Sequence, residues 1–255
     1  MGRAIGSKRR VAPFPGRRTC DERRALKGFM EFGCRTRSEL AYELLDLLEK
    51  RPPLPTKLRA AVAVDIFSLF VQQMEDVCQW LIALRDLPST EGIFDAVKNT
   101  SLNDHERSQL VKWLTKATDA NFLRKLTGTQ SWSKNDLSCA GAFRPTLASG
   151  LDEFLNPKTG LKQVFPMHIL EALKHGNVAV YGLVPRSRMV TVLTQGAGLA
   201  DIGGNNAIFH ITCEAGKIRP VVERMDAVAR AFTWVIGAVY KARFGNWPRS
   251  TPRFV

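Results

Sequence analysis

Apolar residues recur at spacings of three and four along much of this 255-residue chain, which is the pattern of helices that bury one face. The longest run predicts a helix over 56–86. Its apolar positions are Val62, Ile66, Phe70, Met74, Val77, Leu81 and Leu84. Nearly every position from Ala60 to Phe70 is apolar as well, so we expect this helix at the centre of the fold, with neighbours on more than one side.

The last helix has the most regular pattern. It is expected to start at Pro220, a residue favoured in the first helical turn, and to end at Gly245. Its apolar stripe consists of Val221, Met225, Val228, Phe232, Val235 and Val239. Such a stripe is typical of a helix that faces a core, and also of a helix that assembles with itself or with a partner.

Capping residues predict four shorter helices. "TRSE" is typical of a capping box formed by Thr36 and Glu39. The helix that follows places four leucines on one face and ends at "RPPLP", because proline cannot continue a helix. These leucines are Leu40, Leu44, Leu47 and Leu48. The other three caps are predicted at Ser89 or Thr90, at Asn103 with Glu106, and at Thr118.

The polar and aperiodic run over 127–144 predicts a long loop, followed by helices over 147–156 and 166–174. Strand-like alternation then appears in "NVAVYGLV", "RMVTVLT" and, more weakly, "AIFHIT". The segment "GAGLADIGGNN" resembles a phosphate-binding loop, but Asp201 occupies the third glycine position and a strand follows it. We therefore expect a hairpin tip and no cofactor.

These elements predict a mainly α protein, a helical bundle with two long helices and a β-hairpin or three-stranded insertion at about 177–213. A single domain is expected over 36–245. A flexible basic arm over 1–35 is expected to precede this domain, and a tail over 246–255 to follow it.

The net charge of +13 is concentrated toward both ends. Residues 1–27 hold nine Lys or Arg and two acidic residues, and five basic residues with no acidic one follow Asp226. A basic arm binds nucleic acid by neutralising phosphates, and a solubilising arm has the same composition, so both interpretations stay open. The candidate nucleic-acid contacts in the arm are Arg9, Arg10, Arg17 and Arg18.

Other classes of protein are disfavoured. No secretory signal and no apolar run of membrane-spanning length is present, which predicts a cytoplasmic protein without a membrane partner. The five cysteines are scattered and form no CxxC pair, so free, buried thiols are expected rather than disulfides or a zinc site. The four histidines lack metal-ligand spacing and no GxSxG is present, so no metal is expected.

"ALKHG" places His175 at the end of the predicted helix, beside Lys174 and before Gly176. A cation at this position is favourable to the helix dipole, which is a structural role. An exposed histidine also titrates near neutral pH and can serve as a general acid or base. Both interpretations stay open.

The order of long helices, then "ALKHG", then a strand-bearing segment and a last long helix resembles the divergent HEPN-like helical domains. The resemblance covers 36–245 and implies a helical bundle, often a homodimer, with RNA binding or cleavage and a role in bacterial conflict systems. His175 matches the histidine of the family motif, and Lys174 the residue before it. Catalytic members carry an Arg four to six residues before the histidine, and this chain has none there. Lys174, Arg186 and Arg188 are the candidate replacements.

The resemblance and the basic charge together predict an RNA-binding protein with weak or no ribonuclease activity. Two alternatives remain. One is a non-enzymatic protein that assembles through helical surfaces, and the other is a metal-independent endoribonuclease that uses His175.

Overall fold

Helices make up most of the described chain, which confirms the mainly α class. The computed structural model describes residues 22–50, 54–86, 92–129, 131–155, 178–183, 189–195 and 206–248, with residues 178–211 described by their backbone alone. The helices are α1 (Glu22–Gly28), a π-helical turn (Phe29–Gly33), α2 (Thr36–Glu49), α3 (Thr56–Asp86), α4 (Ile93–Asn99), α5 (Asp104–Lys116), α6 (Asp119–Thr127), α7 (Lys134–Leu155) and α8 (Ala215–Phe244). No helix in these ranges combines the length and the hydrophobicity of a membrane span.

The central helix α3 has the predicted bounds, Thr56–Asp86. All seven of its predicted apolar positions are buried, with at most 5% of each residue exposed. It packs against α2, α4, α5, α6, α7 and α8. The expected central position, with neighbours on several sides, is therefore confirmed.

Helix α8 ends as predicted, at Gly245, whose φ of 84° is the left-handed conformation that glycine adopts readily. Its start is Ala215, so the predicted start at Pro220 is wrong. Pro220 has no N–H to donate to the carbonyl of Gly216. Gly216 is exposed, so water can bond this carbonyl and the helix extends past the proline.

The two long helices pack together through a buried polar contact. The Gln73 amide on α3 donates to the backbone carbonyl of Met225 on α8, with 2.7 Å between Nε2 and O. A buried hydrogen bond between a side chain and a backbone contributes about 1 kcal/mol net, and losing one partner costs more than that.

The predicted capping box at Thr36 and Glu39 is wrong. Arg35 precedes α2 with φ −114° and ψ −16°, whereas a capping residue needs an extended backbone. The chain before α2 is already helical, so the Thr36 hydroxyl donates to the carbonyl of Phe32, four residues earlier.

Of the four leucines predicted to form the buried face of α2, only Leu48 is buried. Leu40 is 47% exposed, and Leu44 and Leu47 are half-buried. The buried positions are Ser38, Ala41, Leu45 and Leu48. Because leucines are adjacent at 44–45 and at 47–48, two neighbouring faces of the helix are almost equally apolar in the sequence. Packing against both α3 and α8 buries the face that carries Leu45 and Leu48.

Helix α1 and the π-helical turn belong to the core. Leu26 is 0% exposed and Met30 is 2% exposed. Phe29 stacks on Trp80 of α3, with 4.4 Å between the ring centroids. Residues 22–35, which the charge pattern assigns to the basic arm, therefore form part of the folded bundle.

The long loop predicted over 127–144 is wrong, because α7 begins at Lys134. Ser133 and Asp136 cap the start of this helix through two reciprocal hydrogen bonds. The Asp136 N–H donates to the Ser133 hydroxyl, and the Ser133 N–H donates to the Asp136 carboxylate. The face that α7 buries includes small residues such as Ala140, Ala148 and Gly150, which give little periodic signal.

Two predicted caps are confirmed. Asn103 and Glu106 form the capping box of α5, and the Thr118 hydroxyl accepts from the Asn121 N–H at the start of α6. Helix α4 instead begins after Gly92, and the predicted caps Ser89 and Thr90 lie outside the described residues.

The strands form one antiparallel sheet in the order β1-β2-β3. Their bounds are β1 Val178–Leu183, β2 Met189–Gln195 and β3 Asn206–Thr212. Val178 pairs with Thr194, and Met189 pairs with Thr212. The backbones of β1 and β3 lie beside α3. The predicted helix over 166–174 and the glycine-rich run over 196–205 lie outside the described residues.

Gly150 marks a close approach of α7 to α8. A Cβ at this position would lie 2.3 Å from Cγ2 of Val228, which is well inside van der Waals contact. Gly150→Ala should therefore force the helices apart and lower the free energy of unfolding by about 1–2 kcal/mol, after allowing for the better helix propensity of alanine. Urea denaturation followed by circular dichroism measures this change.

Gly216→Ala in α8 is the matched control, because nothing lies within 4 Å of its Cβ position. That variant should be as stable as the wild type or more stable, by up to about 1 kcal/mol. Equal effects of the two substitutions would contradict the close packing at Gly150.

Candidate functional site

A groove between α5 and α7 is the candidate site. Its volume is about 550 Å³, and its walls combine apolar side chains with charged ones. The α5 side contributes Val111, Lys112, Thr115 and Lys116. The α7 side contributes Arg144, Pro145, Ala148, Ser149 and Asp152.

Arg144 fixes the geometry of the groove. Its Nε lies 3.0 Å from Oδ1 of Asp119, and its Nη1 donates to the carbonyl of Leu114 over 2.7 Å. That carbonyl belongs to the last turn of α5, where carbonyls lack helical partners. A Cβ at Gly141 would lie 2.9 Å from the Asp119 carboxylate, so glycine leaves room for this contact. Arg144 thus ties α5 to α7, and Asp119 neutralises its charge.

Lys112 and Lys116 are the available cations of the groove. They lie one turn apart on α5 and both are exposed. Neither forms an ion pair with any residue that the structure describes. Like charges at this spacing repel each other, and an anion placed between them removes that repulsion.

The far end of the groove is polar. Ser149 is exposed and accepts a hydrogen bond from Nη1 of Arg224, 3.3 Å away on α8. Asp152 lines the same groove. The groove therefore combines cations, apolar walls and polar side chains within one concave surface.

The basic residues near the described termini act inside the fold instead. Arg243 donates to both oxygens of Glu22, and Glu22 also accepts from the Ile93 N–H over 2.8 Å at the start of α4. Arg23 donates to the Tyr240 hydroxyl over 2.9 Å. Glu22, Arg23 and Arg243 therefore hold α1, α4 and α8 together.

A second tie, the Lys241 cluster, consists of Trp132, Ser133, Asp136, Lys241 and Trp247. Nζ of Lys241 lies 2.7 Å from Oδ2 of Asp136 and within 5.4 Å of both indole ring centroids. Burial acts to raise the pKa of Asp136, but hydrogen bonds from Lys241 and Ser133 and the charge of Lys241 outweigh it, so the pKa is lowered.

The described cysteines are free thiols, as predicted. Burial raises the pKa of Cys34 and Cys78 to about 12, and that of Cys213 to about 11. These three thiols are protonated at neutral pH and are poor nucleophiles. The described ranges also hold no cluster of His, Cys, Asp and Glu that could bind a metal ion.

The sequence-predicted site residues all lie outside the described residues. They are His175, Lys174, Arg9, Arg10, Arg17, Arg18, Arg186 and Arg188. The groove was missed, although the spacing of Lys112 and Lys116 on a capped helix was a readable signal. The contact of Arg144 with Asp119 has no local signature.

Asp136→Asn should lower the free energy of unfolding at pH 7 by about 2 kcal/mol, because Lys241 loses its counter-charge. The lowered pKa means that the wild type holds this stability above pH ~4 and loses it as pH falls through the folded-state pKa. Urea midpoints measured from neutral to acidic pH should therefore converge for the wild type and the variant.

Glu43→Gln, at an exposed position, is the control and should change little at any pH. A stability difference between the wild type and Asp136→Asn that stayed constant down to acidic pH would contradict the role of the ion pair.

No model of a known protein family matches this chain, and no curated protein or solved structure matches it either. The function proposed for this protein therefore rests on the chemistry of its own residues.

Proposed function

We propose that this protein is a HEPN-like RNA-binding protein with weak or no ribonuclease activity. The observation that supports RNA binding is the pair Lys112 and Lys116, which are exposed on the groove and form no ion pair with a described residue. Lysines that neutralise phosphates release counterions, which drives salt-dependent binding to nucleic acid.

The finer parts of this proposal concern residues beyond the groove. We propose that Arg9, Arg10, Arg17, Arg18, Arg186 and Arg188 add phosphate contacts. The sheet β1–β3, which precedes the last long helix, fits the strand-bearing insertion that the HEPN resemblance implies. A role in bacterial conflict is part of the same proposal.

The apolar stripe of α8 does not support the alternative of assembly through helical surfaces. Its six members are each at most 5% exposed, because α8 uses the stripe in the core of its own chain. No second function is therefore proposed from this helix.

We expect the full chain to be retained on RNA at low salt, with log K falling linearly as log salt rises. Lys112→Gln with Lys116→Gln should weaken binding to all RNA sequences and reduce the salt slope by about 2, one for each lost phosphate contact. Filter binding over a salt series measures both effects.

Lys98→Gln is the matched control. Lys98 is also an exposed lysine, but it lies on α4, which packs against α3 and does not line the groove. It should leave the salt slope unchanged. The proposal would be wrong if the wild-type protein were not retained on RNA at low salt, or if its retention did not depend on the salt concentration.

Ribonuclease activity is expected to be weak or absent, because no Arg precedes His175 in the manner of the catalytic family members. His175→Ala should leave the RNA cleavage rate unchanged in the presence of a metal chelator, as followed by gel electrophoresis of labelled RNA. A loss of about 100-fold or more, the scale of a general acid or base, would instead support the metal-independent nuclease.

A further inference from the structure

A third cation, Arg224 of α8, lies beside the groove between α5 and α7. Its Nη1 donates to the Ser149 hydroxyl, 3.3 Å away, and Ser149 lines the groove. Arg224 is exposed and forms no ion pair with a residue that the structure describes. Because the Ser149 hydroxyl is neutral, this hydrogen bond orients the guanidinium toward the groove and leaves its charge in place.

The three cations are spread along the groove. Lys112 and Lys116 are one turn apart, about 6 Å along the axis of α5, so each can face a different phosphate of one strand. Ser149 lies five residues after Arg144 on α7, about 7.5 Å further along that axis. Arg224 therefore adds its charge away from the Arg144 end. We refer to Lys112, Lys116 and Arg224 as the groove cations.

The other charged residues at the groove already have partners. Asp119 binds the Arg144 guanidinium, with 3.0 Å between Oδ1 and Nε, so this arginine contributes little free charge. Asp152 also lines the groove and takes part in an interaction of its own. The attraction of an anion to this surface therefore depends on the groove cations.

The width of the groove suits one strand. Its walls are two helices packed side by side, and the axes of packed helices are about 8–10 Å apart. A double helix is wider than this distance and meets only the rim of the groove. At the edge, the exposed Pro145 offers an apolar surface. An unpaired base can cover this surface, whereas the bases of a duplex are already covered by their neighbours.

We propose that this groove binds one unpaired strand of RNA, with a different phosphate facing each of the three groove cations. The inference rests on the proposed RNA binding and deepens it, because it specifies an unpaired strand as the substrate and adds Arg224 to the residues that bind it. A duplex reaches the exposed lysines at the rim and does not place a phosphate at every groove cation.

Filter binding of the full chain to a labelled oligouridylate, either free or paired with oligoadenylate, tests the preference for an unpaired strand. The free strand should bind about tenfold or more tightly than the duplex at the same salt concentration. This order is the reverse of what charge density alone would give, because the duplex carries more phosphates along the same length.

Arg224→Gln tests the third cation. For the free oligouridylate, the slope of log K against log salt should become shallower by about 0.7–1, the value of one phosphate contact. Arg219→Gln is the matched control and should leave the slope unchanged. Arg219 is another solvent-accessible arginine of α8, but it pairs with Glu49 and does not line the groove.

The results distinguish this inference from RNA binding itself. Equal affinity for the free strand and the duplex would overturn the inference and leave RNA binding intact. An unchanged slope in Arg224→Gln, with a shallower slope in Lys112→Gln with Lys116→Gln, would also overturn it, because only the lysines would then contact phosphates. If neither RNA is bound, both the proposed function and this inference are wrong.

Discussion

The fold depends on the complete burial of one stretch of α8. All ten residues from Ala231 to Tyr240 are buried, so this part of the helix has no solvent face. Such a helix is stable only with neighbours all round it, and α1, the π-helical turn, α2, α3, α6 and α7 supply them. The Thr233 hydroxyl, which is fully buried here, donates to the Ala229 carbonyl over 2.8 Å, so burial leaves this donor satisfied.

Ion pairs connect helices at the surface of the bundle, and these pairs determine which cations remain for a ligand. Glu22 binds Arg243 and the first N–H of α4, and Asp136 binds Lys241, so removing any one partner would leave a charge or a donor without its match. The cations in these ties cannot also neutralise phosphates. Lys112 and Lys116 on α5 form no ion pair with a described residue, so they stay available to an anion, whereas Arg243 and Lys241 do not.

The sequence predicts what is local and strongly periodic, and it fails where distant residues decide. The bounds of α3 and the caps at Asn103 and Thr118 follow from patterns within a few residues, and they are correct. The start of α4 depends on Glu22, 71 residues away, and no local pattern shows it. The register of α2 depends on packing against α3 and α8, and the face that α7 buries includes small residues that give little periodic signal. In the groove, the spacing of Lys112 and Lys116 was readable, but the tie between Arg144 and Asp119 joins residues 25 apart.

Hydrogen bonds hold α5, one wall of the groove, at both of its ends. The capping box at Asn103 fixes the first turn of α5, and Arg144 fixes the last turn through the Leu114 carbonyl. The backbone beneath Lys112 and Lys116 is therefore held at both ends, and their repulsion cannot be relieved by unwinding the helix. Because the walls are set before a ligand arrives, binding loses little backbone entropy and orders mainly the two lysine side chains. An anion that fits between them thus meets a site whose geometry the core has already determined.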